Sequence, residues 1–292
     1  MGICDQRSVI ITGAGGGLGR AYALAFAAEG ARVCVNDIQR EAAEAVAAEI
    51  REQGGEAIAV IDDITSLAGA ERIVAAAVEA FGDVQVLVNN AGVLRDKMFV
   101  GLDEADWDLV MHVHLKGHFC LANVLARRWR EQAKVGQKVE ARIINTSSGA
   151  GLQGSIGQAN YSAAKGGVAA LTLVQAAELA RYGVTANALA PAARTAMTES
   201  AMPEVVKAPD DGGFDAWAPE NVAPLVVWLG SSASEGVTGQ VFESQGGRLS
   251  VCDGWRTGPE EDQGRRLTPE EAGETIRRLM NRAEPAQKVW GS

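Results

Sequence analysis

The sequence predicts an α/β fold, a doubly wound parallel seven-stranded sheet, on three observations. Short apolar runs alternate with helical stretches along most of the chain, the runs are apolar throughout rather than at every second residue, and a glycine-rich turn joins the first run to the first helix. Strands apolar on both faces belong in a parallel sheet covered by helices above and below. A glycine-rich strand-to-helix turn is where such sheets receive a dinucleotide, so the sheet is expected to be of Rossmann type. One domain over residues 1–250 and a charged tail over 251–292 are expected.

The elements follow in order. Ser8 to Thr12 (SVIIT) forms a first strand, and GAGGGLG turns it into the helical run RAYALAFAAEG, which stops at Gly30 as a C-terminal glycine should. ARVCVND is a second strand with Cys34 in its core, Arg40 to Gln53 a charged, Ala-rich helix, AIAVI a third strand and Leu67 to Phe81 the next helix. VQVLVNNAG gives the fourth strand, Glu104 to Glu131 a long helix and ARIINTSS the fifth. Tyr161 to Tyr182 is helical, GVTANALAP is the sixth strand, and a helix over Pro219 to Leu229 leads into the seventh strand at GQVFES.

Two segments break the rhythm. Residues 190–218 are rich in Pro, Thr, Asp and Gly but are punctuated by Met197, Met202, Phe214 and Trp217, which suits a lid over substrate better than a disordered loop. The tail after Gly254 holds one helix, started by a capping box at Thr268, Pro269 and Glu271 and carrying an apolar stripe of Ala272, Ile276, Leu279 and Met280. That stripe is expected to pack on its own domain or a neighbouring subunit, with substrate contact the alternative.

Composition narrows the function classes. Among 292 residues, 27 basic against 37 acidic ones give a net charge of −10, which argues against nucleic acid or an anionic membrane as partner. No apolar run is long enough to span a membrane, and the N-terminus enters its first strand without a basic region or cleavage site, so no secretory signal is expected. Cys4, Cys34, Cys120 and Cys252 lie far apart with no C-x-x-C pair, as suits reduced thiols in the cytoplasm.

The chemistry concentrates between Arg142 and Leu171. An apolar strand ends at Ser147 and Ser148, and a glycine-rich loop leads into a helix with Tyr161 and Lys165 four positions apart on one face. A phenol beside an ammonium ionises more easily, its pKa drawn down from about 10 towards working pH. Such a tyrosine can pass a proton to or from an alcohol, with Ser148 holding the same oxygen. A second centre lies at the first turn, where Thr12, Gly13, Gly17, Leu18 and Gly19 spell T-G-x-x-x-G-x-G and backbone N–H groups at a helix start can receive a pyrophosphate. Asp37, at the end of the second strand, can accept hydrogen bonds from an adenosine ribose and would repel a 2′-phosphate, which favours NAD over NADP, although Arg20 and Arg40 are nearby cations. Asp63 can receive the adenine amino group or cap a helix.

With T-G-x-x-x-G-x-G, N89-N-A-G92, Ser148 and Tyr161-x-x-x-Lys165 in order, residues 5–250 resemble the short-chain dehydrogenase/reductase family. The resemblance implies an NAD(P)-dependent carbonyl/alcohol oxidoreductase in which Tyr161 is acid/base, Ser148 orients the reacting oxygen, and Lys165 lowers the tyrosine pKa and holds the nicotinamide ribose. It implies that Asn89, Ala91 and Gly92 brace the sheet beside the adenosine. NNAGVLRDKMF, MHVHLKGHF, GQANYSAAK, NALAPAARTAMT and PENVAPLVVWL are similar to the (3R)-hydroxyacyl-CoA dehydrogenase part of peroxisomal multifunctional enzymes and to actinobacterial relatives that handle steroid side-chain CoA thioesters. The implied reaction oxidises a 3-hydroxyacyl-CoA to its 3-oxo form. A hydroxysteroid dehydrogenase, a 3-oxoacyl or ketone reductase, and a cofactor-binding scaffold without catalysis are the alternatives.

Two positions depart from the family pattern. His114 stands where many members carry an Asn that supports a water in a proton relay, and is either a relay member or a packing residue. Pro191-Ala192 replaces the usual Pro-Gly, so nicotinamide contacts there would come from backbone, with Thr195 or Thr198 as further ligands. His112, His114 and His118 suggest a metal, but no third and fourth ligand is suitably spaced, and no metal is expected. The family pairs its two long helices between subunits, which implies a homodimer or homotetramer.

Overall fold

A computed structural model describes residues 2–254, 256–285 and 287–291. The first half alternates strictly: β1 (Ser8–Thr12), α1 (Gly17–Ala28), β2 (Arg32–Asn36), α2 (Arg40–Glu52), β3 (Glu56–Val60), α3 (Leu67–Phe81) and β4 (Val86–Asn89). Neighbouring strand residues then divide between two cores. Val9, Ile11, Val33, Val35, Val86 and Val88 face a layer with Tyr22 and Phe26 of α1, whereas Ile10, Cys34 and Leu87 face Ile73 of α3. Both faces of β1, β2 and β4 are therefore dry, and continuous apolar runs follow, whereas β3 at the sheet edge is only half-buried.

The second half carries the chemistry. The long helix expected after β4 is α4 (Glu104–Val110), a π-helical segment Met111–Lys116, and α5 (Gly117–Lys134). β5 (Ala141–Thr146) leads through the short α6 (Gly149–Gln153) to α7 (Ala159–Leu179), and β6 (Val184–Pro191) leads to α8 (Ala196–Ala201) and α9 (Pro203–Val206). α10 (Ala223–Gly230), β7 (Val241–Gln245), β8 (Arg248–Val251) and α11 (Pro269–Met280) complete the order.

The sheet runs β3-β2-β1-β4-β5-β6-β7-β8. It has one more strand than the seven expected, and β8 pairs antiparallel with β7 across the turn at Gly246 and Gly247. β8 escapes sequence reading because it is an edge strand whose apolar residues face out: Leu249 is 59% exposed and Val251 62%. From β3 the chain crosses back to the far side of β1, so the loops after β1 and β4 diverge and leave a crevice at the carboxyl ends of the strands.

The tail contains the expected helix, with Thr268 and Glu271 capping each other reciprocally. Its apolar stripe is covered only in part: Ala272 and Leu279 are half-buried, Ile276 is 55% exposed and Met280 70%, and Thr275 is the buried residue. Among the described residues no helix is long and apolar enough to cross a membrane.

Candidate active site

The crevice is built first from backbone. β1 ends at Thr12, whose buried hydroxyl accepts from the backbone N–H groups of Asn90 (2.9 Å) and Ala91 (3.1 Å). Asn90 donates in return to the carbonyls of Thr12 (3.0 Å) and Gly13 (3.3 Å), locking the two loops together. A Cβ on Gly19 would lie 2.2 Å from the Gly13 carbonyl oxygen, so the loop closes on itself only because position 19 is glycine. Gly16 is the N-cap of α1 with no side-chain cap, and a Cβ there would meet nothing within 4 Å. The first N–H groups of α1 thus have no side-chain cap and no side chain of residue 16 in their way, the arrangement that receives an anionic phosphate. Leu18 turns away and packs on the core.

The expected adenosine residues separate. Asp37 accepts from the N–H groups of Gly15 (3.0 Å) and Gln39 (3.0 Å), which aims its carboxylate at the glycine loop. Arg20 is paired with Glu49 and Arg40 with Glu44, both at the surface. Asp63 accepts from the N–H and hydroxyl of Thr65, and Ser66, not Asp63, caps α3. Asn89 is fully buried beneath the crevice, donating to Asn145 (3.0 Å) and the His118 carbonyl (3.4 Å). It braces β4 against β5 and α5 and has no surface to offer a ligand.

β5 delivers Ser148 at the N-cap of α6, where its hydroxyl accepts from the Ala150 N–H (3.2 Å) and also hydrogen-bonds the Tyr161 phenol. Tyr161 lies in the first turn of α7, and Lys165 one turn later has its Nζ 5.7 Å from the Tyr161 ring centre while donating to the Thr146 carbonyl (2.6 Å). The three residues expected to act together are therefore together. Their electrostatics differ from the expectation. Burial raises the Tyr161 pKa, the Ser148 hydrogen bond pulls it back, and the Asp96 carboxylate adds to the rise. Burial also lowers the Lys165 pKa from 10.5 to about 7. The Lys165 ammonium is turned to the Thr146 carbonyl, and burial is the largest influence on the phenol.

The π-helical segment sets His114 edge-on to Tyr161, ring centres 5.2 Å apart at 90°. Its Nε2 lies 2.7 Å from the Val93 carbonyl oxygen and 3.0 Å from the Val93 N–H. Burial lowers its pKa to about 3, so the ring is neutral. Gly92 makes room for it: a Cβ there would fall 2.3 Å from the imidazole Cε1. His118 is fully buried and held well below its ordinary pKa, whereas the exposed His112 faces the Asp108 carbonyl (2.8 Å). Among the described residues no group of three His, Cys, Asp or Glu is placed to hold a metal.

On the far wall Pro191 ends β6, and the Ala192 N–H donates to the Ser244 carbonyl (2.9 Å). Thr195 caps α8, and its methyl lies 3.4 Å from where a Cβ on Gly17 would sit, which brings this loop onto the glycine turn. Thr198 is turned inward to the Ala193 carbonyl (2.8 Å). Sequence reasoning passed over Asn160, which donates to the Arg95 carbonyl (3.1 Å) and accepts from the Tyr161 N–H (2.8 Å), and it used Asn90 only as part of NNAG. Their place beside Tyr161 and within NNAG was the available signal.

Comparison with known proteins agrees with this geometry. The family profile described as short chain dehydrogenase matches residues 7–205. The chain is 44% identical to the hydroxyacyl-CoA dehydrogenase ChsB1 of Mycobacterium tuberculosis over 83% of its own length and 78% of the relative's. It is 42% identical to the mouse peroxisomal multifunctional enzyme type 2, matching over 86% of this chain and spanning about a third (32%) of that longer protein. It is 40% identical to the 3-oxoacyl-[acyl-carrier-protein] reductase of Synechocystis, over 82% of this chain and 96% of the relative. The crystal structure of a short chain dehydrogenase from Mycobacterium avium superposes with a TM-score of 0.91 at 51% identity over the whole of both chains.

Proposed function

This chain belongs to the short-chain dehydrogenase family and is an oxidoreductase acting on CH–OH groups, and from that premise we propose that it oxidises a (3R)-3-hydroxyacyl-CoA, of fatty or steroid side-chain type, to the 3-oxo thioester with NAD. The observation that carries the proposal is the hydrogen-bonded Ser148–Tyr161 pair with Lys165 beside it at the carboxyl ends of the strands. The thioester class is supported by relatives named hydroxyacyl-CoA dehydrogenases. NAD is supported by the Asp37 carboxylate at the glycine loop.

The chain fits a nicotinamide dinucleotide. The uncapped start of α1 at Gly16 suits the pyrophosphate, with Gly13, Gly17 and Gly19 shaping the turn. Asp37 would hold the adenosine ribose, Lys165 and Tyr161 the nicotinamide ribose, and Thr195 with the Pro191 backbone the nicotinamide side. When bound, NAD supplies the acceptor for the hydride that leaves the carbinol carbon.

In this reading Ser148 donates to the alcohol oxygen and fixes it against Tyr161. Tyr161, as phenolate, takes the hydroxyl proton as the carbonyl forms. Lys165, whose pKa lies at about 7, holds its neighbours by donating rather than by a permanent full charge. His114 stays neutral and fixes the angle of the Tyr161 ring. Residues 190–218 act as the lid, and the exposed faces of α5 and α7, with Phe119, Leu173 and Val174, suit a homo-oligomeric interface. The free cysteines suit a cytoplasmic setting.

The test is NADH formation with (3R)-hydroxyacyl-CoAs of several lengths, a steroid alcohol and simple secondary alcohols, each with NAD and with NADP. Turnover of the thioesters with NAD is expected, and activity on free alcohols alone would overturn the substrate class. The Synechocystis relative favours a second reading, reduction of a 3-oxoacyl substrate, which would require NADPH to outperform NADH in the reverse assay.

A further inference from the structure

The chain returns to its own site at its far end. Trp290 forms a parallel bridge with Ser155; the Ile156 N–H donates to the Trp290 carbonyl (2.9 Å) and the Trp290 N–H to the Gly154 carbonyl (3.2 Å). The opposite edge of the same loop is held by Lys97, bridged to Gln158, with its N–H donating to the Gly157 carbonyl (2.9 Å). The loop joining Ser148 to Tyr161 is thus clamped on both edges, and one clamp is a segment more than thirty-five residues beyond β8.

The side chain gives the clamp its meaning. A Cβ on Gly149 would sit 2.3 Å from the Trp290 Cη2, so the six-membered ring of the indole packs against the residue that follows Ser148. Trp290 is 49% exposed, beside Ile156 at 47%, and belongs to neither core cluster. A half-exposed indole outside the core, one residue from the serine that receives the reacting oxygen, has little to contribute to the fold and much to an apolar ligand. The loop connecting Ser148 and Tyr161 is one wall open to the carbon skeleton of an alcohol held between them.

We propose that Trp290 is a specificity residue: its exposed indole face forms the apolar wall against which the carbon skeleton of the alcohol lies, supplied in cis by the C-terminal segment. The inference rests on Ser148 and Tyr161 holding the alcohol, and is independent of whether the alcohol is a CoA thioester.

The experiment compares Trp290→Ala and Trp290→Phe with the parent enzyme across whichever secondary alcohols the parent oxidises, graded by the size of the group next to the carbinol. Trp290→Ala is expected to lower kcat/KM for the largest substrates about tenfold or more, through KM, while the smallest changes less than about twofold. Trp290→Phe should restore most of the loss, and the KM for NAD and the Tm should not move. An equal loss for every substrate, or a raised NAD KM, would mean a clamp that only shapes the loop, and no change would remove the residue from the site; either result overturns the proposal. Independently of turnover, adding alcohol to the NAD complex should change indole emission in the parent and not in Trp290→Phe, and identical responses would also refute it. Parent enzyme inactive on thioesters yet selective through Trp290 on other alcohols would sink the proposed substrate and leave this assignment standing.

Discussion

Replacing Lys165 with Met should make the fold more stable at neutral pH while removing most of the activity. Lys165 is fully buried, and burial lowers its pKa from 10.5 to about 7. At roughly 1.4 kcal/mol per pH unit, that fall corresponds to ~5 kcal/mol of folding free energy withheld at neutral pH. The hydrogen bond to the Thr146 carbonyl returns about 1–2 kcal/mol of this, since it is a bond to a charged group. Met fills the same volume with no charge, so a net gain of ~3–4 kcal/mol is expected near pH 7. The sign follows from linkage: the folded pKa is below the unfolded one, the unfolded chain binds more protons between pH ~7 and ~10.5, and parental stability rises with pH across that window. Urea unfolding of both proteins at pH 7 and pH 9.5 reads this directly, and the advantage of the variant should shrink as pH rises. A Lys165→Met protein less stable than the parent at pH 7 would refute the claim that this lysine is held at a cost to folding.

Tyr161→Phe should lower kcat by about a thousandfold while NADH binding, followed by fluorescence titration, changes little. Because burial raises the Tyr161 pKa, the parental oxidation rate should climb with pH into the alkaline range, and a flat profile with chemistry rate-limiting would contradict proton removal by that phenol. Asp37→Ala should raise the KM for NAD about tenfold and narrow the gap to NADP, measured by initial rates with each cofactor. His114 has a folded pKa of about 3 against an ordinary 6.5, so the unfolded chain takes up the proton first, and stability present above pH ~6.5 is lost progressively towards pH ~3. Thermal melts from pH 7 to 4 should show that loss, and it should be smaller in His114→Asn.

β1, β2 and β4 were legible because both of their faces are dry, as Val33, Cys34 and Val35 illustrate by dividing between the two cores. β8 was not, because Leu249 and Val251 face outward and carry no periodic signal. The proximity of Ser148, Tyr161 and Lys165 followed from strand, loop and helix spacing. The direction of the lysine ammonium did not, since spacing fixes a Cβ and not the carbonyl a four-carbon stem will find, and neither did the burial that raises the Tyr161 pKa. Thr12 and Asn89 carry polar side chains at the right strand ends, yet both are consumed by bracing loops and strands. The return of Trp290 to Gly149 was beyond reach, because contact between segments this distant in sequence leaves no local pattern.

The π-helical stretch Met111–Lys116 separates the length of the α4–α5 rod from its phase. One wide turn rotates everything after it relative to everything before it, at almost no change in end-to-end distance. A single-residue deletion there would leave the rod able to bridge the same loops and bury about the same apolar area, yet turn the faces of α5 away from the neighbours they now meet. Folding would tolerate the change far better than chemistry would. In this stretch the count of residues, more than their identity, is what keeps the His114 imidazole against the Tyr161 ring.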